Sequence, residues 1–355
     1  MLGLDPKSAA ATVSRHTHVA EQVVFVDGLS GTGKTMMGPI LATFDRIEVQ
    51  RLEAIYQYAC TLNFLRRVAD DAADCLIKIY IDRACYNVMI GREVNFRWKD
   101  LSGVLSNPGG WRYIARLFKP DGDAVLARIN RERPILHIAS QHILGVSAPL
   151  FSALGERLKI VEMVRHPIFL LQHWHSVMDR LGMDPRIFTI WILHKGEHLP
   201  WFALGWEDKY LASNNMDRAI YLIDWLTRLT EDALAGLDEK SRSQVLVVPF
   251  ERFVLEPWPY LERMEQLLET KTKKSMLKTL KKERIPRKLT TAGRDLESYR
   301  RYSWHTPARG TTEADELQNR WDHAAKEATP EAMDVLARIS SAYDEHYMTL
   351  SAPNS

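Results

Sequence analysis

The sequence predicts an α/β protein built on a central parallel sheet, and three observations carry that expectation. Short apolar runs at residues 23–26, 134–139, 158–164 and 245–248 read as strands, with helical text between them. Strands that alternate with helices favour parallel pairing through crossover connections. The runs also lack apolar–polar alternation, as strands covered on both faces do. Third, the first run leads into Gly28-Leu29-Ser30-Gly31-Thr32-Gly33-Lys34-Thr35, and helical text follows at 36–44. Strand, glycine-rich turn and helix together predict a three-layer phosphate-loop fold, with a central sheet and helix-rich insertions.

The chain has 355 residues, of which 46% are hydrophobic and 26% charged, with a formal net charge of +2. That is the composition of a globular protein with one large α/β domain. The small net charge gives no general argument for a nucleic-acid or membrane-surface partner. No run reaches the ~18 apolar residues of a membrane helix. Cys60, Cys75 and Cys85 form no CxxC pair and read as buried free thiols, which with the lack of a signal-like segment points to the cytoplasm.

Residues 1–21 read as a flexible start and 22–305 as the phosphate-loop domain. Within it, 50–130 is a helical insertion: Leu52, Ile55, Tyr56 and Tyr58 recur near helical spacing, and Asp70-Asp71 marks a break. Residues 183–215, with Trp191, Trp201 and Trp206, read as an insertion or lid. Residues 306–355 read as terminal helices and a tail.

The glycine-rich turn fits GxxxxGK[ST] completely. Gly28, Gly31 and Gly33 let backbone N–H groups curl round phosphate oxygens without a Cβ clash. The following helix adds free N–H groups and its positive dipole end. Lys34 brings a point charge, Ser30 and Thr32 bring hydroxyls, and Thr35 stands where a magnesium ligand would. A metal-dependent nucleotide hydrolase or kinase also needs a strand-end aspartate. The only candidate in this reading is Asp82, in helical-looking text. The strand at 158–164 runs instead into Arg165, which suits a second anion.

Four segments, in order, resemble the P-loop sulfotransferases that use 3′-phosphoadenosine 5′-phosphosulfate (PAPS). They are VFVDGLSGT from Val24, PILHIASQHIL from Pro134, IVEMVRHPIFLLQHWHS from Ile160 and VVPFERFVLEPWPYLERMEQLL from Val247. The resemblance implies that the loop, with Lys34, holds the 5′-phosphosulfate. It implies that Arg165, with His173 or Ser176, holds the 3′-phosphate, and that His142 takes the acceptor proton. It implies no metal. The family's loop lysine is Leu29 here, and its Lys-Thr-His triplet is Ser140-Gln141-His142. The family serine falls eight residues after the arginine, at His173, with Ser176 about one helical turn on. The activity implied is sulfuryl transfer to a hydroxyl or amine of a small molecule or glycan. An ATP- and magnesium-dependent kinase and a nucleotide-binding module without transfer chemistry remain the alternatives. The sequence is silent on oligomeric state.

Other polar groups have two readings each. His142 is a base or a structural histidine, and imidazole needs little tuning to act near neutral pH. Arg92, Glu93, Asn95, Arg97 and Asp100 either line an acceptor pocket or form a salt-bridge network. His173 and His175, two apart on a helix, point to different faces and make a poor metal pair. Residues 271–301 hold twelve Lys/Arg against three Asp/Glu. That stretch is a solvated helix face followed by a loop, with Arg287 and Lys288, that could close on a phosphate.

Overall fold

Alternation of apolar runs and helices fixes the architecture. A computed structural model describes residues 11–97, 100, 102–294, 300, 308 and 310–349. The first half of the chain forms β1 (Gln22–Asp27), α1 (Lys34–Leu41), β2 (Arg51–Leu52), α2 (Ile55–Phe64), α3 (Asp70–Met89), α4 (Trp111–Arg116), α5 (Asp123–Glu132), β3 (Ile135–Ala139), α6 (Ala148–Leu154), β4 (Leu158–Val164) and α7 (Pro167–Met178). It continues through the hairpin strands β5 (Trp191–His194) and β6 (Glu197–Pro200), then α8 (Glu207–Ala212), α9 (Asn215–Ala235), α10 (Glu239–Arg242), β7 (Val245–Pro249), α11 (Phe250–Leu255), α12 (Trp258–Leu267) and α13 (Ser275–Lys282). Two further described helices, α14 (Glu313–Ala325) and α15 (Pro330–Tyr343), lead into a short π-turn, Asp344–Met348.

The main sheet has the order β2-β3-β1-β4-β7, every neighbour parallel. Its strands bury side chains on both faces, which is why the runs do not alternate. In β1, Val23 and Phe25 face one core while Val24 and Val26 face the other. Helices α2, α3, α6, α7 and α9 cover the first face; α1, α11, α12 and α13 cover the second. This is the three-layer α/β fold expected. All four predicted strands are present.

The differences lie at the margins. Leu52 belongs to the two-residue edge strand β2 rather than to a helix, and Asp70 opens α3. Segment 183–215 folds as a hairpin, a short 3-10 turn and a helix; Trp201 is 1% exposed and packs on Phe64 and Trp225, while Trp191 lies at the surface. Among the described residues no helix is long and apolar enough to cross a membrane. Residues 1–10, 295–299 and 301–307 lie outside the described residues, and with them parts of the segment 1–21 and of the basic stretch.

His137 sits mid-strand in β3, fully buried, and burial pushes its pKa down to about 3 from 6.5. The unfolded chain therefore takes up a proton below pH 6.5 that the folded chain refuses. Stability from this group is present above that pH and is lost as pH falls towards 3. Buried carboxyls whose pKa is raised, those of Asp27, Glu162 and Glu251, act in the opposite sense and Glu48, whose pKa is lowered, in the same sense, so the effect is read as a difference. Relative to His137→Gln, the parent should lose about 1.4 kcal/mol per pH unit in that window. Urea melts of both proteins at several pH values check this; parallel curves would show that His137 is not buried neutral.

Candidate functional site

The carboxyl ends of the five strands form a row, and ligands of parallel α/β sheets bind along such a row. In sheet order it runs from Phe250-Glu251 after β7, through Arg165 after β4 and the loop after β1, to His142 after β3 and Glu53 after β2.

The loop is built by its glycines. Gly28, Gly31 and Gly33 have φ of 127°, 98° and 97°, the left-handed region that glycine reaches without strain. Space is equally restrictive: a Cβ on Gly28 would overlap the carbonyl oxygen of Met163, and one on Gly33 would lie 2.6 Å from the Phe250 ring. Gly31 packs against Leu170 and His173 of α7. Thr32 is buried and donates to the carbonyl of Leu29 (2.8 Å). Ser30 is half-buried, and Thr35 is exposed in the first turn of α1.

Lys34 is folded back. Its Nζ donates to the carbonyls of Gly28 (2.5 Å) and Leu29 (2.7 Å). Burial lowers its pKa to about 8, against the opposing charges of Asp27 and Glu162. These two carboxylates are register neighbours on β1 and β4, and both are buried. Asp27 accepts from Ser140 Oγ (2.9 Å) and Leu144 N (2.8 Å). Burial, and after it the Asp27 charge, push the Glu162 carboxyl well above its ordinary value. The sequence reading found no strand-end aspartate beside the loop, yet β1 itself ends in one. Its bonds to Ser140 and Leu144 turn it inward, and the Lys34 charge acts on it without a direct bond.

Asp82, the magnesium candidate, lies inside α3. It accepts from Arg15 Nε (2.5 Å) and from the backbone N–H groups of Val19 (2.8 Å) and Ala20 (3.1 Å). Those residues precede β1, so Asp82 sits at the end of the sheet opposite the loop. Among the described residues no group of three or more His, Cys, Asp or Glu side chains converges as a metal site.

Arg165 reaches the loop directly, donating from one terminal nitrogen to the carbonyl of Gly31 (2.8 Å). Its guanidinium lies 4.4 Å from the centroid of the Phe250 ring, and Nε is 3.7 Å from Glu251. Arg287 stacks near the same ring at 5.4 Å, 2.8 Å from the carbonyl of Thr290 and 3.5 Å from Met36 Sδ in α1. Two cations thus flank the aromatic ring that packs on Gly33. Lys288 is exposed, as are Lys274, Lys278, Lys281 and Lys282, so the helical part of the basic stretch is a solvated face. His173 lies beside Gly31; burial and the charges of Lys34, Arg180 and Arg165 push its pKa down to about 3. Ser176 is one turn farther along α7, away from the loop.

His142 sits at φ 42°, its backbone N–H donating to the carbonyl of Gly28 (3.1 Å). Its ring lies 5.7 Å from Trp201 and 6.4 Å from Trp174. Burial, with Lys34 adding to it, lowers the pKa to about 3, not the near-neutral value expected of an untuned imidazole. Gln57 Nε2 is 3.0 Å from His142 Nε2. An amide N–H only donates, so Nε2 is the accepting nitrogen and Nδ1 carries the hydrogen.

Two further polar groups that could act as bases, His166 and Glu93, have other partners. His166 caps α7 through Nδ1, which accepts from Ile168 N (3.3 Å), and faces Asp344 (3.6 Å). Glu93 is paired with Arg83 (2.8 Å) and Arg51 (3.5 Å). Together with Glu53, Ala54, Ile55, Tyr80 and Ala84 these three line a cavity of about 300 Å³ beside the end of β2. Gln57, Asp27, Glu162 and Glu251 were missed in the sequence. Only Glu251 carried a signal there, as the glutamate of the strand–x-Glu-x element after β7.

No protein-family model matches the chain, and no curated protein matches it. Solved structures do match. The chain is similar to a sulfotransferase domain from the curacin biosynthetic pathway, at 12% identity and TM-score 0.45, over 95% of this chain and 100% of that one. It is similar to a sulfotransferase domain from the Synechococcus PCC 7002 olefin synthase, at 12% identity and TM-score 0.44, over 97% and 100%. A sulfotransferase from Mycobacterium tuberculosis H37Rv matches at 12% identity and TM-score 0.37, over 85% and 76%.

Proposed function

We propose that the protein is a sulfotransferase that moves a sulfuryl group from PAPS to an acceptor hydroxyl or amine. The observation that carries this reading is Arg165. A phosphate loop alone serves any nucleotide, but here a strand-end guanidinium touches the loop at Gly31, with the Arg287 guanidinium 5.4 Å from the same Phe250 ring. A nucleotide bearing both a 5′-phosphosulfate and a 3′-phosphate needs two such cationic centres side by side.

The residues present suit that ligand. Glycines at 28, 31 and 33 let the loop hold left-handed backbone angles while it packs closely on Met163, Leu170 and Phe250. The loop amides, Ser30, Thr32 and Thr35 would hold the 5′ end, with Lys34 turning outward from Gly28 and Leu29 to meet it. Arg165 and His173 would hold the 3′-phosphate, with Ser176 the alternative to His173 and with Arg287 and Lys288 closing over it. Bound PAPS supplies the activated sulfuryl group. His142 would accept the acceptor's proton at Nε2, where the hydroxyl takes the place of Gln57. Lys34 would offset charge on the leaving oxygen. The acceptor would approach from the β3–β2 side of the row, where the 300 Å³ cavity lies.

Calorimetry with 3′-phosphoadenosine 5′-phosphate (PAP) and ATP, each with and without magnesium, tests the reading. PAP should bind more tightly than ATP, and chelating magnesium should leave PAP binding unchanged. Tight binding of ATP that needs magnesium, with none of PAP, would establish the kinase instead. Binding of PAP without turnover of PAPS would leave a nucleotide-binding module.

A further inference from the structure

Residues 343–348 lie near the end of the described residues, yet they touch both strand-end segments that frame the cationic site. The hydroxyl of Tyr343 donates to Glu251 Oε2 (2.6 Å). The other oxygen of Glu251 faces Arg165 Nε (3.7 Å) and the backbone N–H of His166 (3.4 Å). Asp344 faces the His166 ring at 3.6 Å. Arg252, next to Glu251, donates to the carbonyls of Tyr347 (3.0 Å) and Met348 (2.8 Å). Tyr343 and Glu251 are buried, at 6% and 4% exposure, so this link runs through the interior.

We infer that the end of α15 is a positioning element of the nucleotide site: Tyr343, acting through Glu251, sets the orientation in which Arg165 meets a ligand phosphate. A guanidinium on a long side chain has many rotamers, and a fixed orientation must be imposed from outside. Glu251 imposes it on one edge of Arg165, the Gly31 carbonyl on another, and Phe250 on the face. Glu251 is itself a buried carboxylate, and burial makes a donor on Oε2 valuable. Tyr343 supplies that donor, and the contact spans 92 residues of sequence. The inference rests on the PAPS reading only in the identity of the phosphate that Arg165 meets.

Affinities for PAP and for adenosine 5′-phosphosulfate, which lacks the 3′-phosphate, give the test. Tyr343→Phe removes one hydroxyl and keeps the ring. It should lower PAP affinity by about three- to tenfold, the scale of one lost hydrogen-bonding partner, and leave adenosine 5′-phosphosulfate unchanged. A double-mutant cycle then separates positioning from general loosening. In an Arg165→Ala background, Tyr343→Phe should have no further effect on PAP affinity. Should Tyr343→Phe fail to fold, Arg252→Lys loosens the same contact from its other side and is read the same way. A parent protein whose affinity gains nothing from the 3′-phosphate would overturn both this inference and the PAPS reading. A parent that gains from it, with Tyr343→Phe equally weak in both backgrounds or unchanged in both, overturns the inference alone.

Discussion

Replacing Lys34 by alanine is expected to weaken every ligand that carries a 5′-phosphate, whereas Arg165→Ala should weaken PAP and leave adenosine 5′-phosphosulfate nearly unchanged. Loss of one charged hydrogen-bonding partner is typically worth ~1.5–3 kcal/mol, roughly ten- to a hundredfold in affinity. The difference between the two variants follows from position. Lys34 opens the helix behind the loop and can reach only what the loop holds. Arg165 enters from β4, and its guanidinium lies between Phe250 and the Gly31 carbonyl, on the β7 side of the loop. The lysine effect has a second component. In the free protein its ammonium satisfies two loop carbonyls and offsets Asp27 below them. Lys34→Ala therefore leaves a buried carboxylate with less compensation, and the variant should also melt earlier. Lys34→Met, which keeps the stem, isolates the charge. Calorimetry with the two ligands on each variant gives the answer. Equal losses for both ligands in Arg165→Ala would remove that residue from the 3′-phosphate role.

The sheet was legible because its strands obey one simple rule. A strand buried on both faces is mostly apolar, as Val23 to Val26 is throughout and Leu158 to Val164 is apart from Lys159 and Glu162. The two-residue strand β2 carries no such pattern, and an edge of that length leaves no periodicity to detect. The loop was legible for a stronger reason: its glycines are required both by backbone angle and by packing on Met163 and Phe250. What could not be read was everything set by partners distant in sequence. Asp27 and Glu162 look like strays in apolar runs until β1 and β4 pair and place them side by side. The link from Tyr343 to Glu251 joins elements 92 residues apart. The same limit applied to His142. Its place after a strand was visible, but the burial that resets its proton affinity comes from Trp174 and Trp201, brought in by α7 and by the turn after β6.

That burial sharpens what His142 should do. If it is the base, removing it should lower turnover by about 10²–10⁴-fold with little change in PAP affinity, because cofactor binding does not involve the acceptor proton. His142→Asn is the better variant than alanine. The position has φ 42°, which asparagine tolerates, and asparagine refills part of the space against Trp201. With a pKa of about 3, the free protein carries a neutral imidazole at every working pH. An acid limb near pH 6.5 in the rate profile would then not come from this ring. The Lys34 charge contributes to that low value, second to burial. Phosphates bound at the loop offset the lysine, so PAP should raise the His142 pKa from its free value. Titration of the ring by NMR, with and without PAP, measures that shift directly. Slow hydrolysis of PAPS by water stands in for an acceptor, since a base near the sulfur also activates water. A His142→Asn protein that folds, binds PAP and hydrolyses PAPS at the parent rate would remove His142 from catalysis. Glu93 and His166 would not inherit the role without giving up Arg83 and Arg51, or the cap of α7, in the ligand-bound state.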